Sequence, residues 1–135
     1  MFAIDHLGIA VKSLAQASKF YRQLGMQVMP EEVVEQEKVR LAMVPLGEAR
    51  IELLEPTSEE SPIARFIAKR GEGLHHVSLR VDDIHATVQR LKEQGVRLIS
   101  EEVKIGAGGH MYVFVHPSSA GGVLLELVQE SSKGA

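Results

Sequence analysis

The chain has 135 residues, 44% of them hydrophobic and 24% charged, which fits one compact soluble domain rather than a disordered or fibrous chain. A net charge of −3 gives no basic footprint for nucleic acid or an anionic membrane, and no apolar run approaches the ~20 residues of a membrane-spanning helix. With no cysteine there are no disulfides and no thiolate ligands, so any metal must be held by nitrogen and oxygen, as suits Zn, Co, Ni, Mn or Fe.

Residues 3–11 alternate as a short strand, with Ile4, His6, Gly8 and Ala10 on one face and Leu7, Ile9 and Val11 on the other. Residues 13–24 switch to helical spacing through Leu14, Ala17, Phe20, Tyr21 and Leu24, and Gly25 stops the helix at a left-handed C-cap. Strands follow near 26–30, 38–46 and 49–55, the last two joined by a tight turn at Leu46-Gly47-Glu48. Ser61-Pro62 reads as an N-cap with Pro at the first helical position of a short helix that Gly71 ends. Ile63, Phe66 and Ile67 give that helix a stripe to pack on the sheet. A strand at 74–81 comes next, then a helix at 83–94 capped by Asp82 or Asp83 and stopped by Gly95, then strands near 96–102, 110–116 and 122–129. The tail from Glu130 reads as frayed. The N-terminus reaches Asp5 and His6 at once, without a signal-peptide pattern, so a cytoplasmic location is expected.

The second half repeats the first. Ile4-Asp5-His6 lies over Leu74-His75-His76, Ser13-Leu14 over Asp83-Ile84 and Gly25 over Gly95, at an offset of seventy residues. The offset widens to seventy-two at Pro45 over Pro117 and to seventy-four at Glu52 over Glu126, as loop insertions between paired strands would produce. Two β-α-β-β-β modules result, at about 3–56 and 74–129, with a linker helix at about 61–71. A unit of roughly 55 to 60 residues is small for a core of its own, so the two halves are expected to form a single domain over 1–135.

A lone His on a strand is more often structural than ligating, and an acid between aliphatics more often faces water. Taken together the positions read differently. The duplication puts His6 and Glu52 in the places of His76 and Glu126, and a pseudo-twofold axis would gather the four as an N2O2 set for a divalent cation. Burying two carboxylates without a cation would be costly. His75 competes with His76, but only one can face the site, and His76 is the one in register with His6. His85 and His116 read as solvated, and His110 follows the glycine-rich Gly106-Ala107-Gly108-Gly109, where it can line a ligand pocket. Neither that stretch nor Gly121-Gly122 has nucleotide-fold spacing; both read as turns or close backbone approaches.

Two such modules supplying His, Glu, His and Glu resemble the vicinal-oxygen-chelate superfamily, which includes glyoxalase I, extradiol dioxygenases and methylmalonyl-CoA epimerase. Within it the epimerase family is the nearer likeness. That likeness is carried by Ile51-Glu52-Leu53-Leu54-Glu55-Pro56, Ser61-Pro62-Ile63-Ala64, Gly73-Leu74-His75-His76, Val81-Asp82-Asp83-Ile84, Lys104-Ile105-Gly106, His116-Pro117 and Gly121 through Leu127. The resemblance implies an α+β fold in which the modules form one curved, barrel-like mixed sheet with helices outside. It implies a divalent metal on His6, Glu52, His76 and Glu126, with Co2+ favoured over Mn2+, Ni2+ or Zn2+. It implies metal-dependent epimerisation of a CoA thioester by α-proton abstraction, with Glu126 as a base, and a homodimer. Glyoxalase-like isomerisation of a thiohemiacetal is the alternative. Some relatives have Gln in place of Glu52. In some epimerases a second Glu acts from the strand following the first helix and hairpin, and the aligned position here holds Arg40. Glu52, Glu35 and Glu37 are the candidates for the second base, in that order. Lys69, Arg70 and Lys104 can meet CoA phosphates or be ordinary surface cations.

Overall fold

A computed structural model describes residues 2–131; the tail expected to fray lies, beyond Ser131, outside the described residues. The chain is a mixed α+β structure of two βαβββ modules. The first holds β1 (Ala3–Ala10), α1 (Leu14–Gln23), β2 (Glu32–Val34), β3 (Val39–Leu46) and β4 (Ala49–Pro56). After α2 (Pro62–Arg70), the second holds β5 (Gly73–Arg80), α3 (Ile84–Glu93), β6 (Lys104–Ile105), β7 (Met111–Val115) and β8 (Leu125–Gln129). The chain divides into two compact units, one from His6 to His75 and one joining the residues up to Asp5 to those from His76 onward. Among the described residues no helix is long and apolar enough to cross a membrane.

In the unit His6–His75 the strands run in the order β2-β3-β4-β1. β3 and β4 form an antiparallel hairpin that pairs Leu46 with Ala49, and Gly47 takes φ 60° so that the two-residue turn closes. β1 runs parallel to β4, which sets Gly8 beside Glu52 and Ala10 beside Leu54. Alternation then gives the sheet two different faces. On one, Val11, Ala42, Val44 and Leu53 are buried against Leu14, Ala17 and Tyr21 of α1. On the other, Ala10, Val39, Leu41 and Leu54 pack on Ile63, Phe66 and Ile67 of α2. Glu52 and His6 project from this second face, so α2 shares its face with the polar pair. The α1 stripe is narrower than its spacing suggests, since Phe20 and Leu24 are exposed.

The second unit repeats this plan in the order β5-β8-β7-β6. Parallel pairing of β5 with β8 sets Ser78 beside Glu126, and the antiparallel partner β7 sets Phe114 on the other side. Val81, Val113, Val115 and Leu127 are buried against Ile84 and Val88 of α3, leaving His76, Ser78 and Glu126 on the opposite face.

The repeat extends to the helix caps. Ser13 Oγ accepts from Gln16 N at 3.2 Å, and Asp83 Oδ1 accepts from Ala86 N at 3.1 Å, each satisfying a free amide of the first turn. The amides of Leu14 and Ile84 donate to Glu55 Oε1 and Gln129 Oε1, both at 2.8 Å. Each module thus anchors the start of its helix with the side chain at the end of its last long strand. Asp83, not Asp82, is the cap of α3.

Two strand assignments are corrected. Residues 26–30 and 96–102 are not strands; the second strand of each module lies later, at Glu32–Val34 and Lys104–Ile105. The early segments touch the sheet through few backbone contacts, Met29 N to Met43 O and Ile99 N to Phe114 O, each 2.8 Å, with an isolated bridge from Leu98 to Val115. Pro30 has no N–H to extend a ladder in the first module.

Candidate functional site

Each unit presents one His–Glu couple on the sheet face away from its module helix. In the first, His6 is 7% exposed and its Nε2 stands 3.4 Å from Glu52 Oε1. In the second, His76 is 5% exposed and its Nε2 stands 3.7 Å from Glu126 Oε1. The strand register produces both couples, because in each module the His lies two residues before the residue that sits beside the Glu. His76 is further fixed by an edge-on contact of its ring with Phe114, at 5.7 Å between centroids and 86° between planes.

The donor chemistry of each couple fits a divalent cation. An imidazole nitrogen and a carboxylate oxygen are ordinary ligands of a borderline ion. At 3.4 and 3.7 Å the atoms stand beyond the roughly 2.7–3.2 Å of a good N–H···O hydrogen bond. Ligand bonds of about 2.1 Å would set two neighbouring donors about 3.0–3.4 Å apart, close to both separations.

The other histidines go elsewhere. His75 packs its ring edge-on against Phe66 of α2 at 4.9 Å, so the neighbour of His76 belongs to the helix contact. His85 is exposed on α3. His116 is partly buried, and its Nδ1 accepts from Ser118 N at 3.0 Å, capping a short 3-10 turn over Pro117–Ser119. The sequence alone did not suggest that role, although a His followed by Pro at a turn start is a signal for it. His110 is partly buried with its ring against Gly108, and its Nδ1 has no hydrogen-bond partner among the described residues. Gly108 and Gly109 take φ 71° and 83°, which makes the glycine-rich stretch a turn. Lys69, Arg70 and Lys104 are exposed.

Arg40 does not share the Glu52 face. It pairs across the hairpin with Glu55, and Glu55 and Glu52 point to opposite sides of β4. Its guanidinium donates to Glu55 Oε2 at 3.3 Å and lies 3.7 Å from Glu31 Oε1. Arg40 therefore holds the carboxylate that caps α1, and a base at this position would face α1 rather than Glu52. Alternation counted from Glu52 across the hairpin would have shown this. Glu35 and Glu37 lie in an exposed 3-10 turn over Glu35–Glu37 that follows β2.

Residues 5–114 match the family model of the Glyoxalase/Bleomycin resistance protein/Dioxygenase superfamily, and the chain belongs to that superfamily. Within it, the human mitochondrial methylmalonyl-CoA epimerase is 44% identical over 128 residues, 93% of this chain and 73% of that protein. The structure of methylmalonyl-CoA epimerase from Mycobacterium tuberculosis matches with a TM-score of 0.90 at 41% identity, covering 96% of this chain and 89% of that one. A variant of Streptomyces coelicolor methylmalonyl-CoA epimerase with one serine replaced by threonine, in complex with 2-nitronate-propionyl-CoA, matches with a TM-score of 0.90 at 37% identity, covering 96% of this chain and 95% of that one. The same Streptomyces enzyme has been solved with a glutamate replaced by Leu or by Gln, and with a glutamine seventeen positions further on replaced by Ala.

Proposed function

We propose that this chain is a divalent-metal-dependent methylmalonyl-CoA epimerase that interconverts the 2R and 2S forms of its substrate. The observation that carries the reading is the repeated buried His–Glu couple, in a chain that epimerase relatives match over 93% of its length or more. His6, Glu52, His76 and Glu126 are the four ligands, and Co2+ is the ion favoured by the family resemblance. When bound, the cation supplies positive charge where a thioester enolate gathers its negative charge. A homodimer is part of the same reading.

The remaining chemistry falls to the chain's own carboxylates. Glu126 takes the proton from the carbon between thioester and carboxylate, and the electron pair of that C–H bond moves into the enolate. Inversion then needs a proton delivered from the opposite face, and Glu35 is the residue proposed to deliver it. The spacing favours Glu35 over Glu52, because Glu35 precedes Glu52 by seventeen positions, as the substituted glutamate precedes the substituted glutamine in the Streptomyces enzyme. The buried Leu41 and Leu54 in one unit and the partly buried Phe114 in the other limit water around the carboxylates.

The test is to incubate the cobalt-loaded protein with a single epimer of methylmalonyl-CoA and follow the epimer ratio. Conversion to an equal mixture, abolished by a chelator and restored by added metal, is the expected result. An unchanged ratio with cobalt, manganese, nickel and zinc each supplied would overturn the reading.

A further inference from the structure

The strand neighbours of the two carboxylates differ between modules that otherwise match. Glu52 has Gly8 beside it on β1 and Met43 beside it on β3. Glu126 has Ser78 beside it on β5 and Phe114 beside it on β7. Gly8 and Ser78 are twins in the repeat, so the same site on the sheet is without a side chain in one module and carries a hydroxyl in the other.

Ser78 is fully buried, at 0% exposure, and its Oγ has no hydrogen-bond partner among the described residues. A hydroxyl in that state costs folding free energy, and Gly8 shows that this strand position does without one. It lies on the same face as His76, and paired parallel strands stand about 4.8 Å apart, within reach of a rotating serine side chain. Of the two strand neighbours of Glu126, Phe114 has no donor and Ser78 has one.

We propose that Ser78 is a positioning residue for Glu126, its hydroxyl donating a hydrogen bond to the carboxylate as that side chain turns toward the substrate's α-carbon. This rests on the epimerase reading, in which Glu126 is the base. The difference between the modules then matches the different roles of their carboxylates. Glu52 remains a ligand beside a glycine, while Glu126 moves and needs a fixed partner at the end of its movement. Neighbours that orient metal-site carboxylates and imidazoles have effects of this kind on activity.

The test compares the parent chain with Ser78→Ala and Ser78→Cys, cobalt-loaded and supplied with one epimer of methylmalonyl-CoA. The readings are kcat and KM for α-proton exchange, the Kd for cobalt, and Tm. Ser78→Ala is expected to lower kcat by about tenfold or more, with KM and cobalt affinity unchanged and Tm equal to or above that of the parent. Ser78→Cys, which keeps a weak donor of similar size, should fall between Ala and the parent. A parent-like kcat in Ser78→Ala would overturn the proposal. So would a fall in kcat accompanied by lost Tm or lost cobalt affinity, with Cys no better than Ala, because that pattern is a packing defect. Absence of exchange in the parent itself would instead remove the epimerase reading, and this role with it.

Discussion

Glu52 and Glu126 hold the same place in the two modules yet stand in different company, and the proposed division of labour rests on that. Glu52→Gln keeps an oxygen donor and loses its charge, so the cobalt Kd should rise while epimerisation persists; titration of metal-free protein followed by rate measurement checks both. Glu35→Gln should slow epimerisation by about a hundredfold or more while one epimer still takes up solvent deuterium, because a single base can remove and return a proton on its own face. Equal loss of exchange and inversion would assign Glu35 another role. Away from this chemistry, Arg80 Nη2 donates to Asp5 Oδ1 at 3.0 Å, and its Nε lies 3.3 Å from Glu130 Oε1. Asp5 is 2% exposed while Arg80 is about a third exposed, so the carboxylate is the partner that suffers when the pair is broken. Arg80→Met should cost about 3 kcal/mol in urea unfolding, and Glu130→Gln much less.

Among the elements, the helix starts are the clearest products of the duplication. Ser13 and Asp83 cap α1 and α3, and Ser61 Oγ accepts from Ile63 N at 3.1 Å with Pro62 opening α2. Ser13→Ala and Asp83→Ala are each expected to lower stability by about 1 kcal/mol, read as a shift in denaturation midpoint at constant slope. These starts were legible because a cap is written in one residue and its near neighbours. The helix ends were legible too, with Gly25 and Gly95 at φ 94° and 77°. The short strands were not. Residues 26–30 and 96–102 carry strand-like apolar patterns, yet each segment reaches the sheet by few bonds. The actual β2 and β6 are short and mostly exposed, so burial leaves little mark on their composition. The acceptors Glu55 and Gln129 were missed for another reason: each acts on a helix start some forty residues away in sequence, although their common place in the repeat was a usable signal.

Across the whole molecule, the repeat register was enough to select His76 over His75 and to pair each histidine with its glutamate. Within each unit the histidine Nε2 stands 3.4 Å (His6 to Glu52) or 3.7 Å (His76 to Glu126) from the carboxylate oxygen. What the sequence did not reveal was the direction of Arg40, which depends on its hairpin partner, and the fact that Gly8 and Ser78 differ at the side of the two carboxylates. Drawing ligands from both repeats makes the proposed cation a stabiliser of the native chain. At a free concentration a hundredfold above Kd it should add about 2.7 kcal/mol of stability, seen as a rise in Tm. His6→Ala and His76→Ala should each abolish most of that rise, because one ligand from either half is needed. The central claim is tested most directly by following the metal-loaded parent and its Glu126→Gln variant with one methylmalonyl-CoA epimer in deuterated water. The parent should incorporate deuterium at the α-carbon and equalise the epimers, while Glu126→Gln, folded and with its Tm intact, should not equalise them and should exchange only the epimer whose α-proton faces Glu35; exchange of both epimers by that variant would contradict the assignment of Glu126 as the base.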